Sequence, residues 1–95
     1  MSRRDPHEVL GVPPGASERE IRLAYRRAAA RAHPDAGGAT EVFLEIQVAF
    51  RILTDPELRR RLDEDPEGVL DTELARERLV ARRKRRRARV SKLYE

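Results

Sequence analysis

Ninety-five residues leave room for one small domain, and with 39% hydrophobic and 4% aromatic residues its core must be small. The chain has no cysteine, which excludes a disulfide framework and any thiolate-ligated metal centre and fits a cytoplasmic protein. The net charge of +4 is uneven: residues 1–70 carry 11 Lys+Arg against 13 Asp+Glu, a net −2, whereas residues 71–95 carry 10 against 4, a net +6. The basic balance therefore belongs to the C-terminal segment. No apolar run approaches the roughly 18 residues of a membrane span. The opening MSRRDPHEV lacks the apolar stretch of a secretory signal, so none is expected.

The elements are helices. Asp5 is a good N-cap for a first, brief helix, with Pro6 at its first position, Val9 and Leu10 as its apolar face, and Gly11 as its stop. His7 reads as a solvated first-turn residue. After the turn-rich Val12-Pro13-Pro14-Gly15, Ser17 and Glu20 form a capping box. Ile21, Ala24, Tyr25, Ala28 and Ala32 then make one apolar stripe, with Arg19, Arg22, Arg26, Arg27 and Arg31 over much of the remaining surface. This second helix cannot easily pass His33, because Pro34 disfavours the α conformation in the residue before it.

The loop from Asp35 to Ala39 reads as short and flexible, and Thr40 as the cap of a third helix whose stripe is Phe43, Ile46, Ala49, Phe50 and Leu53. Asp55 caps a fourth helix, with Pro56 at its first position and Leu58 and Leu62 facing inward. The second and third helices form an antiparallel helical hairpin flanked by the short ones, an all-α fold. Asp65-Pro66-Glu67-Gly68 reads as a hinge, giving a domain over 1–65 and a basic helical extension over 66–95. That last helix begins near Asp71, with Leu70, Leu74, Leu79, Val90 and Leu93 as its apolar residues and Thr72 as a candidate cap. Its stripe is interrupted by Arg82-Arg83-Lys84-Arg85-Arg86-Arg87, where mutual repulsion opposes helicity.

The tripeptide His33-Pro34-Asp35 sits where the hairpin turns. A His/Asp pair serves acid–base catalysis only in a pocket, usually beside a nucleophile, and the hydroxyls here are better used as caps. No metal site is expected from His7, His33 and Asp35, whose spacing offers no converging ligand set. A helix-end histidine interacting with the dipole is the structural alternative for His33.

The run Asp5…Glu8-Val9-Leu10-Gly11-Val12, then Ile21-Arg22…Ala24-Tyr25-Arg26, then His33-Pro34-Asp35, then Phe43…Ile46…Ala49-Phe50…Leu53 resembles a J-domain, the DnaJ family, over about residues 5–64. Arg59 and Asp63 fit the family's fourth-helix pattern. The resemblance implies a co-chaperone, not an enzyme. It would bind an ATP-loaded 70-kDa heat-shock chaperone of the DnaK class and stimulate that partner's ATP hydrolysis, with no cofactor of its own. Carried over, Arg22, Arg26 and Arg27 supply the basic docking face, His33, Pro34 and Asp35 the loop, and Tyr25 the edge between core and contact surface. A guanidinium row steers toward an acidic partner, and Asp35 can accept charge-assisted hydrogen bonds from it.

The chain departs from the family pattern in several places. Pro6-His7 replaces an aromatic pair, Ala28 and Ala32 stand where larger residues are usual, Leu62 replaces Tyr, and Ala36 replaces a basic residue. Leu23, Leu44 and Val48 are apolar where the family tends to be charged, which suggests that Leu70 and Leu74 cover Leu44 and Val48. For the Arg82–Arg87 run, nucleic-acid or ribosome contact, attraction to anionic lipid and a merely solvated helix all remain open. A monomer is expected.

Overall fold

The computed structural model describes residues 5–93, with side chains through Lys84. Five helices follow one another: α1 Pro6–Leu10, α2 Glu18–Ala32, α3 Thr40–Thr54, α4 Pro56–Glu64 and α5 Val69–Leu93. A single 3-10 turn, Pro34–Ala36, lies between α2 and α3. No strand occurs among the described residues.

Local chemistry fixes most boundaries. The Asp5 carboxylate accepts from the His7 amide at 2.7 Å and starts α1, and Gly11 ends it in the left-handed region at φ 75°. The Ser17 hydroxyl accepts from the Glu20 amide at 3.2 Å to open α2. The Asp55 carboxylate accepts from the Glu57 amide at 2.9 Å to open α4, with Pro56 at its first position. One expected cap is absent. Ala39 precedes α3 and makes no side-chain cap, and Thr40 is already helical. Thr72 likewise does not cap: it lies inside α5, its hydroxyl donating to the Gly68 carbonyl at 3.0 Å.

The core gathers around α3, which packs against each of the other helices. Ile46, Ala49 and Leu53 are buried as their periodicity implies, together with Ile21, Leu58 and Leu62. Val48 and Ile52 are fully buried too, on a second face of α3. There α5 runs alongside α3, and Val69, Leu70 and Leu74 enter the same cluster, with Leu44 partly buried against it. The apolar cover expected for Val48 is therefore present. Burying each such side chain contributes about 1.5–3 kcal/mol before the entropic cost of ordering it.

The helix α5 begins at Val69, two residues before the sequence suggests, because Asp65 organises the turn before it. The Gly68 amide donates to the Asp65 carboxylate at 3.1 Å, and a Cβ on Gly68 would lie 2.3 Å from that carboxylate. The helix also continues without a break through the Arg82–Arg87 run to Leu93. The side chains of Arg85, Arg86 and Arg87, and those of Val90 and Leu93, lie outside the described ones. Ion pairs lace α5 to its neighbours. Arg51 reaches Glu77 at 2.9 Å, Arg78 pairs with Glu41, and the buried Glu73 lies 3.7 Å from Arg61 of α4 and 3.4 Å from Arg76.

His7 is a correction. Its ring is buried rather than solvated. Nδ1 donates to the Asp5 carboxylate at 2.7 Å, and Nε2, the bare nitrogen when the ring is neutral, is buried without a hydrogen-bond partner among the described residues. The short α1 packs mainly on α3, and His7, which stands where the family pattern has an aromatic residue, is among its buried residues.

Candidate functional site: the turn between α2 and α3 and the adjoining face of α2

Pro34 ends α2 by forcing His33 out of the helical region, to φ −60° and ψ 134°. The chain then winds through one 3-10 turn closed by Ala36 and Gly38 amides donating to the His33 carbonyl at 2.9 and 3.0 Å. Gly37 follows at φ 85°, where a side chain would be strained. At Gly38 a Cβ would lie 2.0 Å from the Ala32 carbonyl oxygen, so the chain passes tight against the end of α2. The glycines thus serve a hydrogen-bonded turn, not the slack loop their composition suggests.

That turn sets the His33 ring. Nδ1 accepts the Asp35 amide at 3.1 Å, so in the neutral ring the proton sits on Nε2, which remains a donor. The ring stands edge-on to Phe43 of α3, centroids 5.1 Å apart. His33 is therefore held from two sides and still half exposed. The Asp35 carboxylate is 95% exposed and lies 3.7 Å from His33 Nδ1. It is available to an incoming donor.

The helix α2 presents the cations. Arg22, Arg26 and Arg27 are all exposed. Arg22 is steadied by Glu18 one turn earlier, at 2.8 Å. Arg26, Arg27 and Arg31 make no ion pair among the described residues. The apolar Leu23 is exposed among Arg19, Arg22 and Arg26, along a shallow depression. Tyr25 is half-buried, its ring stacked on Phe50 of α3 at 4.2 Å, at the border between core and surface. Of the residues singled out in the sequence, His33, Pro34 and Asp35 come together in one exposed turn, and Arg22, Tyr25, Arg26 and Arg27 lie on the helix leading into it. The exposed Arg82, Arg83 and Lys84 lie on α5, a separate element that packs on α3 and α4. Phe43 as the support of His33 was not legible beforehand, because a ten-residue separation across a turn leaves no periodic signal.

The DnaJ domain family matches residues 5–63. Chaperone protein dnaJ 39 of Arabidopsis thaliana is 46% identical over 67 residues, 66% of this chain and 16% of that protein. Chaperone protein dnaJ A6 of Oryza sativa subsp. japonica is 50% identical over 64 residues, 67% of this chain and 15% of that protein. Chaperone protein DnaJ of Caldicellulosiruptor saccharolyticus is 44% identical over 73 residues, 73% of this chain and 19% of that protein. An all-helical hairpin with an exposed His-Pro-Asp turn is the architecture of a J-domain, and the chain belongs to the DnaJ domain family. It spans less than a fifth of the length of these relatives. No helix among the described residues is long and apolar enough to cross a membrane.

Proposed function

We propose that this J-domain acts as a co-chaperone: it docks on an ATP-loaded 70-kDa chaperone of the DnaK class and stimulates that partner's ATP hydrolysis. The observation that carries the reading is the His33-Pro34-Asp35 turn, exposed and held by Phe43, beside the exposed Arg22, Arg26 and Arg27. The arginines steer the encounter with an acidic surface and raise its rate more than its affinity. Asp35 then accepts a partner's guanidinium, and His33 offers a ring face and a donor nitrogen. Tyr25 borders the contact. The protein performs no hydrolysis itself: the reacting phosphate lies in the partner, and the loop changes which conformation the partner favours. It works as a monomer in the cytoplasm, in keeping with a chain devoid of cysteine.

Single-turnover ATP hydrolysis by a DnaK-type chaperone from the same cell tests this. Addition of the native protein is expected to accelerate the turnover, and addition of His33→Gln is not. Equal acceleration by both, or none by the native protein, overturns the reading.

A second reading rests on the exposed Arg82, Arg83 and Lys84 of α5, the start of the basic run. In it this segment binds nucleic acid or ribosome and the hairpin is only a scaffold. Salt-sensitive RNA binding that survives His33→Gln and is lost when residues 82–87 are neutralised would favour it.

A further inference from the structure

A groove of about 570 Å³ opens where α1, α2 and α3 meet. Its origin is the run of small residues on α2. Ala24, Ala28 and Ala32 follow at successive turns and leave space that longer side chains would fill. Leu10, Ile46 and Ala32 are its buried lining, and Val42 stands 44% exposed at its edge. Arg27 and Arg31 also line it, one helical turn apart, and neither has an ion-pair partner among the described residues. The groove therefore joins an apolar floor to two uncompensated cations spaced about 6 Å along the axis.

We propose that this groove is a second docking site, and that its occupant is an acidic amphipathic helix of a partner protein. The chemistry selects the class. A volume of this size is within the usual range for a bound ligand, but a ligand site encloses most of its guest, whereas this groove has an exposed margin formed by Arg27, Arg31 and Val42. Such a shape takes one face of a helix, with apolar anchors at i, i+3, i+4 and i+7. The two arginines match carboxylates one turn apart on that helix, and guanidinium–carboxylate pairs at the rim fix its direction. The acidic character of the guest follows from the rim, since a basic helix would meet like charge. The site goes beyond the chaperone-docking reading: it uses Arg31 and the α1 side of α2, and it shares only Arg27 with that face.

The full-length chain, labelled with ¹⁵N, is titrated with the blocked peptide Glu-Leu-Glu-Glu-Leu-Leu-Glu-Glu-Ile-Glu, with the same peptide carrying Lys for Glu, and with laurate. Saturable amide shifts confined to residues lining the groove, Val9, Ala28 and Val42 among them, are expected for the acidic peptide, with Kd below about 1 mM. Arg31→Glu should weaken binding about tenfold or more. Ala28→Leu should abolish it while keeping or raising Tm, so loss of binding is not loss of fold. His33→Gln should leave the shifts intact while ending ATPase stimulation, and Ala28→Leu should do the reverse, so either site can fail without the other. No saturable shift, equal binding of the Lys peptide, unchanged binding by Ala28→Leu, or tighter binding of laurate than of the peptide each overturns the proposal.

Discussion

The His33 ring meets the edge of Phe43 with their centroids 5.1 Å apart and their planes at 72°. One partner is the first residue of the exposed turn and the other lies on the first turns of α3, so the contact ties the loop to the core helix. Nδ1 is occupied by the Asp35 amide at the same time. Orientation of the ring is thus decided by the Phe43 side chain and the Asp35 backbone amide, which leaves the Asp35 carboxylate exposed.

Replacing Phe43 by Leu keeps an apolar side chain of similar bulk and removes the ring contact. An aromatic pair of this kind contributes about 0.5–1.5 kcal/mol. Stimulation of ATP hydrolysis should fall about two- to twelvefold at subsaturating protein, and Tm should fall by about 2–12 °C, so the assay is run well below the variant's Tm. A variant as active as the native protein would show that the ring contact does not position His33.

His7→Phe should stabilise the fold. It removes the buried, unpartnered Nε2, whose desolvation costs about 1–3 kcal/mol, and leaves the Asp5 cap on the residue 7 amide in place. A gain near 1 kcal/mol corresponds to a rise of about 4–8 °C in Tm for a domain of this size. The variant also loses the Nδ1–Asp5 hydrogen bond, so a fall in Tm would mean that this bond, or the fit of the larger ring, outweighs the gain.

Deleting residues 66–95 should lower Tm sharply, because it uncovers Val48 and Ile52 and removes Val69, Leu70 and Leu74 from the core. Leu74→Ala alone should cost about 2–5 kcal/mol in chemical denaturation. The ion pairs on the same helix contribute much less. Arg78 is exposed, and its hydrogen bond and attraction to Glu41 raise its pKa. A raised pKa stabilises the fold at every pH below the guanidinium's ordinary range and is lost only as pH rises through that higher value. Glu41→Gln should therefore change Tm little, with no trend between pH 5 and pH 9 and less effect still at high salt.

Gly38→Ala should damage the turn more than Gly37→Ala. At Gly37 the cost is the left-handed conformation alone, about 1–2 kcal/mol, with open space around the added methyl. At Gly38 the methyl would meet the Ala32 backbone, which cannot move aside as a flexible side chain would. Thermal melts of the two variants should rank accordingly, and ATPase stimulation should follow the same order.

Much was legible along the chain because it depends on near neighbours. The caps at Asp5, Ser17 and Asp55 act within three residues, and the stripes of α2 and α3 repeat with the helical period. The His33-Pro34-Asp35 turn is local too, since Pro34 dictates the geometry of its predecessor. Thr40 misled because a hydroxyl near a helix start suggests a cap, while Ala39 holds the capping position. His7 misled because the polarity of an imidazole says nothing of whether the fold buries it.

The sequence by itself therefore determined the helices, their order, the turn that breaks α2 from α3, and the family to which they belong, since each follows from propensity, capping and period. Only the tertiary structure decided which surfaces are spent and which remain open. It buried the His7 ring of α1, set Phe43 against His33, brought Ile52 and Val69 into the core that α5 closes, and left the alanines of α2 facing a groove instead of a filled interior. The physical reason is that burial and shape depend on what a distant segment brings to the same place, and side-chain volume missing from one helix becomes a cavity only when its neighbours are in position.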